Sequence, residues 1–105
     1  MKRKRRPRGK SVKPNWDPGL RQLWVGEELV LEFKEPAPTQ EPILTAFQEE
    51  GWPKWIYDPL PPDPSGEMDS KSRLHAAIGN LKRRQKVIWF RGVGTGDKIR
   101  WQFRD

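Results

Sequence analysis

Residues 69–104, DSKSRLHAAIGNLKRRQKVIWFRGVGTGDKIRWQFR, decide the fold. Leu74, Ala77, Ile78 and Leu81 fall at i, i+3, i+4 and i+7, the apolar stripe of an amphipathic helix. Asp69 or Ser70 ahead of the stripe supplies an N-cap oxygen, so the spacing predicts a helix over 70–84. At 100° per residue its opposite face carries Ser72, His75, Ala76, Gly79, Asn80 and Arg83, flanked by Lys71, Arg73, Lys82 and Arg84. Residues 87–104 then read as a β-hairpin with a Gly-rich tip at 92–97. Ile99, Trp101 and Phe103 share one face of its second strand, while Arg100, Gln102 and Arg104 share the other.

Towards the N-terminus, residues 21–25 and 28–33 form a first expected hairpin around Gly26-Glu27. Leu29, Leu31 and Phe33 alternate there with Val30, Glu32 and Lys34. Thr39 is the expected cap of a helix over about 40–50, with Ile43, Leu44 and Phe47 inward and Gly51 at its left-handed end. Between residues 52 and 69 stand Pro53, Pro59, Pro61, Pro62 and Pro64, which exclude more than a helical turn around 54–58. Trp52, Trp55, Ile56 and Tyr57 are expected to dock that segment on the core.

The fold class that follows is α+β: a small winged-helix-like domain over 15–105, with an N-terminal β-hairpin, two main helices and a C-terminal hairpin wing. Residues 1–14 are expected to be a disordered basic arm, because a run of like charges with almost no apolar residue cannot offset the entropy of ordering.

Charge is sorted along the chain. The net +7 arises from eight bases and no acid in residues 1–13, three bases against twelve acids in 14–70, and ten bases against two acids in 71–105. The arm and the C-terminal part suit a polyanion, since each Lys or Arg that neutralises a phosphate releases a condensed counterion. The acidic part does not.

Composition removes other classes. With 105 residues there is room for one small domain. The absence of cysteine excludes disulfides and Cys-based zinc sites, and the single histidine, His75, excludes a His-rich metal site. No apolar run approaches the roughly 18 residues of a membrane span, and the N-terminal charge run lacks the apolar stretch that a secretory signal requires, so neither is expected. Cytoplasm and nucleoid in a bacterium, or the nucleus in a eukaryote, are the expected locations.

No enzyme chemistry finds its residues. A phosphate loop at 92–98 would need Gly where Asp97 stands and would lead into a helix rather than a strand. Asp63 with Asp69 and Lys71 is a poor nuclease pair, because Asp69 is better explained as a helix cap. No base accompanies Ser11, Ser65, Ser70 or Ser72 for nucleophilic attack. Neither a catalytic function nor a cofactor nor a metal is expected.

Binding fits the residues better. A helix with short polar side chains between basic flanks can enter the major groove, where Ser, Asn and Arg hydrogen-bond base edges. Ser72, His75, Ala76, Asn80 and Arg83 are therefore the expected base contacts. The expected phosphate contacts are Lys71, Arg73, Lys82, Arg84, Lys86, Arg91, Thr95, Lys98 and Arg100, with Lys2, Arg3, Lys4, Arg5, Arg6 and Arg8 of the arm.

Over roughly 20–103 the chain resembles the winged-helix effector domain of OmpR/PhoB-type response regulators. The likeness is carried by Gln22-Leu-Trp-Val-Gly-Glu-Glu-Leu-Val-Leu, Ile43-Leu-Thr-Ala-Phe, Leu74-His-Ala-Ala-Ile-Gly-Asn-Leu-Lys-Arg-Arg and Phe90-Arg-Gly-Val-Gly. It implies a DNA-binding, transcriptional or nucleoid-associated protein, with Ser72, His75, Ala76, Asn80 and Arg83 at groove-facing positions and 91–98 as the wing. That family's middle helix would fall on the proline-rich 52–69, and no receiver domain accompanies this chain, so control by phosphorylation does not carry over.

Two other readings stand beside DNA. One is an RNA-binding or ribosome-associated module in which Trp55, Tyr57 or Trp89 stacks on unpaired bases. The other is a subunit of a nucleoprotein complex, with a protein partner at the acidic half and the Trp/Pro loop 52–64.

Overall fold

A computed structural model describes residues 12–104. The order is β1 (Pro14–Asp17), β2 (Gln22–Val25), β3 (Glu28–Glu32), α1 (Gln40–Glu49), β4 (Trp55–Tyr57), α2 (Ser70–Arg84), β5 (Ile88–Val93) and β6 (Lys98–Phe103). Two three-stranded antiparallel sheets, β1-β2-β3 and β4-β6-β5, share one core with the two helices. The α+β class holds.

The N-terminal boundary lies further out than the sequence suggests. Val12 packs on the core, Lys13 Nζ donates to the Gly51 carbonyl at 3.1 Å, and Pro14 is the buried first residue of β1, opposite Val25. The expected hairpin is thus a three-stranded sheet. β1 is an edge strand, where a proline at the first position costs no ladder bond. Gln48 binds it to α1, accepting from the Trp16 backbone N–H at 2.7 Å and donating to Asn15 Oδ1 at 3.1 Å. The alternation in β3 is interrupted: Leu23 faces Leu31 but Trp24 faces Leu29, a bulge that leaves Leu29 exposed and lets Val30 pack on the core.

Helix α1 begins without the expected side-chain cap, for Thr39 makes no capping bond. Glu41 reaches back instead and accepts from the Ala37 N–H at 2.9 Å. At the other end Gly51, at φ +80°, donates to the Gln48 carbonyl and Trp52 donates to that of Phe47, at 3.1 and 2.8 Å. This paired closure brings the Trp52 ring flat onto Phe47, with centroids 5.0 Å apart.

The segment 54–58, to which the prolines leave at most one helical turn, holds a strand. β4 pairs Trp55, Ile56 and Tyr57 with Arg100, Ile99 and Lys98 of β6, and only Ile56 of the three is buried. Trp55 and Tyr57 do not dock on the core. Among the described residues no helix lies between α1 and α2, and none is long and apolar enough to cross a membrane.

Helix α2 follows its pattern closely. Asp69 Oδ1 accepts from the Ser72 N–H at 2.8 Å, and Leu74, Ala77, Ile78 and Leu81 are buried. Burial of each Leu or Ile side chain contributes about 1.5–3 kcal/mol, which holds α2 along β5.

Candidate nucleic-acid interface

The turn from α2 into β5 is made by one side chain. Gln85, 4% exposed, donates from Nε2 to the carbonyls of Leu81 (3.2 Å) and Ile88 (2.7 Å). Its Oε1 accepts from the N–H groups of Val87 (2.9 Å) and Ile88 (2.7 Å). An amide has two donor hydrogens and an acceptor oxygen with two lone pairs, so Gln85 uses all four. The last turn of α2 and the start of the hairpin become one unit.

At the other end of the helix the hairpin tip closes over the first turn. Gly96, at φ +93°, lies so close to Lys71 that a Cβ there would stand 3.1 Å from two carbons of the lysine side chain. Residues 94–97 can take this turn because Gly94 and Gly96 both adopt positive φ.

Between these two ends α2 and the hairpin enclose an open groove of about 1060 Å³. Lys71, Ser72, His75, Ala76, Gly79, Lys82 and Arg83 line it from the helix, with Lys86, Arg91, Gly92, Val93, Gly94, Gly96 and Arg104 across from them. Six of these carry a fixed positive charge, and no acid lines the groove among the described residues. The helix wall is low: a Cβ built on Gly79 would meet nothing nearer than Arg83 Nη1 at 3.6 Å. The Arg83 guanidinium is in turn held by Asn80 Oδ1.

The structure divides the expected site residues. Lys71, Ser72, His75, Ala76, Lys82, Arg83, Lys86 and Arg91 come together in the groove, and Asn80 stands behind Arg83. Arg73 does not join them, because it turns to Asp63 at 3.7 Å. Arg84 lies across the Phe33 ring at 4.8 Å, on the side of the N-terminal sheet. Thr95 donates to Asp97 at the exposed hairpin tip. Lys98 and Arg100 lie on the face of the second sheet that carries Trp55 and Tyr57, where Lys98 Nζ is 4.8 Å from the Trp55 ring centroid. Lys2, Arg3, Lys4, Arg5, Arg6 and Arg8 fall outside the described residues.

Arg104 is a groove residue that the sequence reading placed only on a basic face. Its guanidinium covers one side of Trp89 at 4.7 Å and Lys82 approaches the same ring at 5.5 Å, so Trp89 props two groove cations. The available signal was the parity of Arg104 with Arg100 and Gln102 along β6.

Two carboxylates set the start of α2. Asp69 lies below the usual carboxylate range, chiefly because its ionised form accepts from the Ser72 backbone N–H. Asp63 is lowered by hydrogen bonds from the Ser65 backbone and side chain and from Met68 N–H, with a smaller contribution from Arg73. Both serve the loop and the helix cap. Among the described residues no cluster of His, Asp and Glu could hold a metal ion.

Set beside known proteins, the chain matches no family model, no curated protein and no solved structure.

Proposed function

We propose that the chain binds nucleic acid, with duplex DNA as its ligand, in the manner of a winged helix: α2 enters the major groove and the β5–β6 hairpin lies on the neighbouring backbone. The observation that carries this reading is the acid-free groove with its six fixed cations. In it Ser72, His75 and Arg83 point to base edges, Arg83 in the bidentate manner that favours guanine. Lys71, Lys82, Lys86 and Arg91 serve phosphates and set register. The bases of residues 1–11 add a contact that does not depend on sequence. A transcriptional or nucleoid-associated role follows from such an interface, and the acids of residues 14–70, which take no part in the groove, leave a surface for a protein partner.

A salt-titrated binding assay with random duplex, random single strand and RNA tests the proposal. The four phosphates met by Lys71, Lys82, Lys86 and Arg91 give a log–log slope of about −4 on duplex DNA, and engagement of the arm steepens it. Arg83→Ala should flatten the preference among duplex sequences at one position, by about 1–3 kcal/mol of discrimination. Duplex binding that is absent at low salt, or insensitive to salt, would overturn the proposal.

A further inference from the structure

The second sheet has an outer face that the core does not use and that reaches the groove at Arg91 and Arg104. The register sets Trp55 beside Arg100, which stands beside Arg91, and sets Tyr57 beside Lys98; cross-strand neighbours point to the same side. Trp55 and Tyr57 are 42% and 63% exposed, whereas Phe47, Trp52 and Phe90 are buried in the core. Their rings meet edge to face with centroids 5.1 Å apart, and one ammonium, Lys98 Nζ, hovers over both at 4.8 and 5.7 Å. The Nε–H of Arg100 is buried and has no hydrogen-bond partner.

Exposed aromatic faces interleaved with flexible cations match the chemistry of an unpaired polynucleotide strand: bases stack on the rings and phosphates take the cations. We infer that the outer face of β4-β6-β5 is a stacking platform for single-stranded nucleic acid, separate from the duplex groove. A base that slides over Trp55 displaces the Lys98 ammonium, which then meets the adjoining phosphate. The charge of the face suits this occupant, since Lys98, Arg100 and Arg91 lie on it with the uncharged Gln102 and no acid is paired with them in the β4-β6-β5 register. Arg91 also lines the groove, so the two surfaces adjoin along β5.

The test measures affinity of the full chain for dT and rU oligonucleotides of equal length and for a blunt duplex, at one salt concentration. Trp55→Leu and Tyr57→Leu should each weaken single-strand binding about tenfold, as loss of one base stack does, and leave the duplex within about twofold. Trp55→Phe, which keeps an aromatic face, should recover most of the loss. Arg83→Ala is the reciprocal control, weakening the duplex and sparing the single strand. A loss on either dT or rU supports the platform, and the larger loss tells deoxyribose from ribose strands. Unchanged affinity of the Leu variants for both strands, or an equal loss on the duplex, overturns it. If the duplex fails to bind while the Leu variants still lose single-strand affinity, the groove reading falls and the platform stands.

Discussion

Gly79→Ala separates what α2 needs for folding from what it needs for contact. The residue is inside a 15-residue helix, where Gly is about 1 kcal/mol less favourable than Ala. An added Cβ has room, since its nearest neighbour would be Arg83 Nη1 at an ordinary 3.6 Å. The free protein should therefore gain about 1 kcal/mol, a rise in Tm of about 4–8 °C for a domain of this size. With a duplex seated in the groove as proposed, the sign should reverse, because the methyl projects from the low wall of the groove into space a close-fitting partner would occupy. Overfilling a packed contact costs about 1–3 kcal/mol, or about tenfold in Kd near the lower end of that range. Thermal unfolding and duplex titration on the same preparation read both quantities. A variant that is more stable and binds equally well would refute the idea that Gly79 permits close approach. A less stable variant would refute the helix-interior argument itself.

Gln85→Ala removes four hydrogen bonds and strands buried backbone groups at the helix–hairpin turn; at about 1 kcal/mol apiece, chemical denaturation should show a loss of about 3–4 kcal/mol. Deletion of residues 1–11, which spares the Lys13 bond and β1, should weaken binding to every duplex alike and make the salt slope shallower, with Tm unchanged. Asp69→Ala should lower Tm at neutral pH by removing the α2 cap. Because the folded-state pKa of Asp69 is lowered, its stabilisation is present above the ordinary carboxylate range and fades as pH falls through the lowered value, so the Tm gap to the parent chain should close on acidification.

Local patterns made the C-terminal half legible. The stripe of Leu74, Ala77, Ile78 and Leu81 repeats over two helical turns, and β5 and β6 are long enough to show alternation around a glycine-rich tip. β1 and β4 were hidden for opposite reasons. Pro14-Asn-Trp-Asp has a composition that strands disfavour, and it is a strand because Trp16 fills the core and β2 supplies a partner. Trp55-Ile-Tyr is too short for a period to show, and its pairing comes from β6, some forty residues later. The groove cations on α2 could be read from the helical wheel. Arg73 and Arg84 stand on the same helix yet leave the groove, because Asp63 and the Phe33 ring lie within their reach, and such neighbours are set by tertiary structure alone. Gln85, one polar residue past a helix end, carries no pattern that marks it in the sequence. Its burial depends on how closely β5 returns to α2.

That glutamine has a further consequence for how the protein meets a ligand. The pin between helix and hairpin carries no charge and does not titrate, so ionic strength and pH act on this brace less than they would on an ion pair. The groove is thus braced at this end by bonds that salt does not screen. If duplex DNA is the ligand, as proposed, adaptation falls largely to the polynucleotide, and sequences that bend or widen at little cost are expected to be favoured at base pairs the side chains never touch.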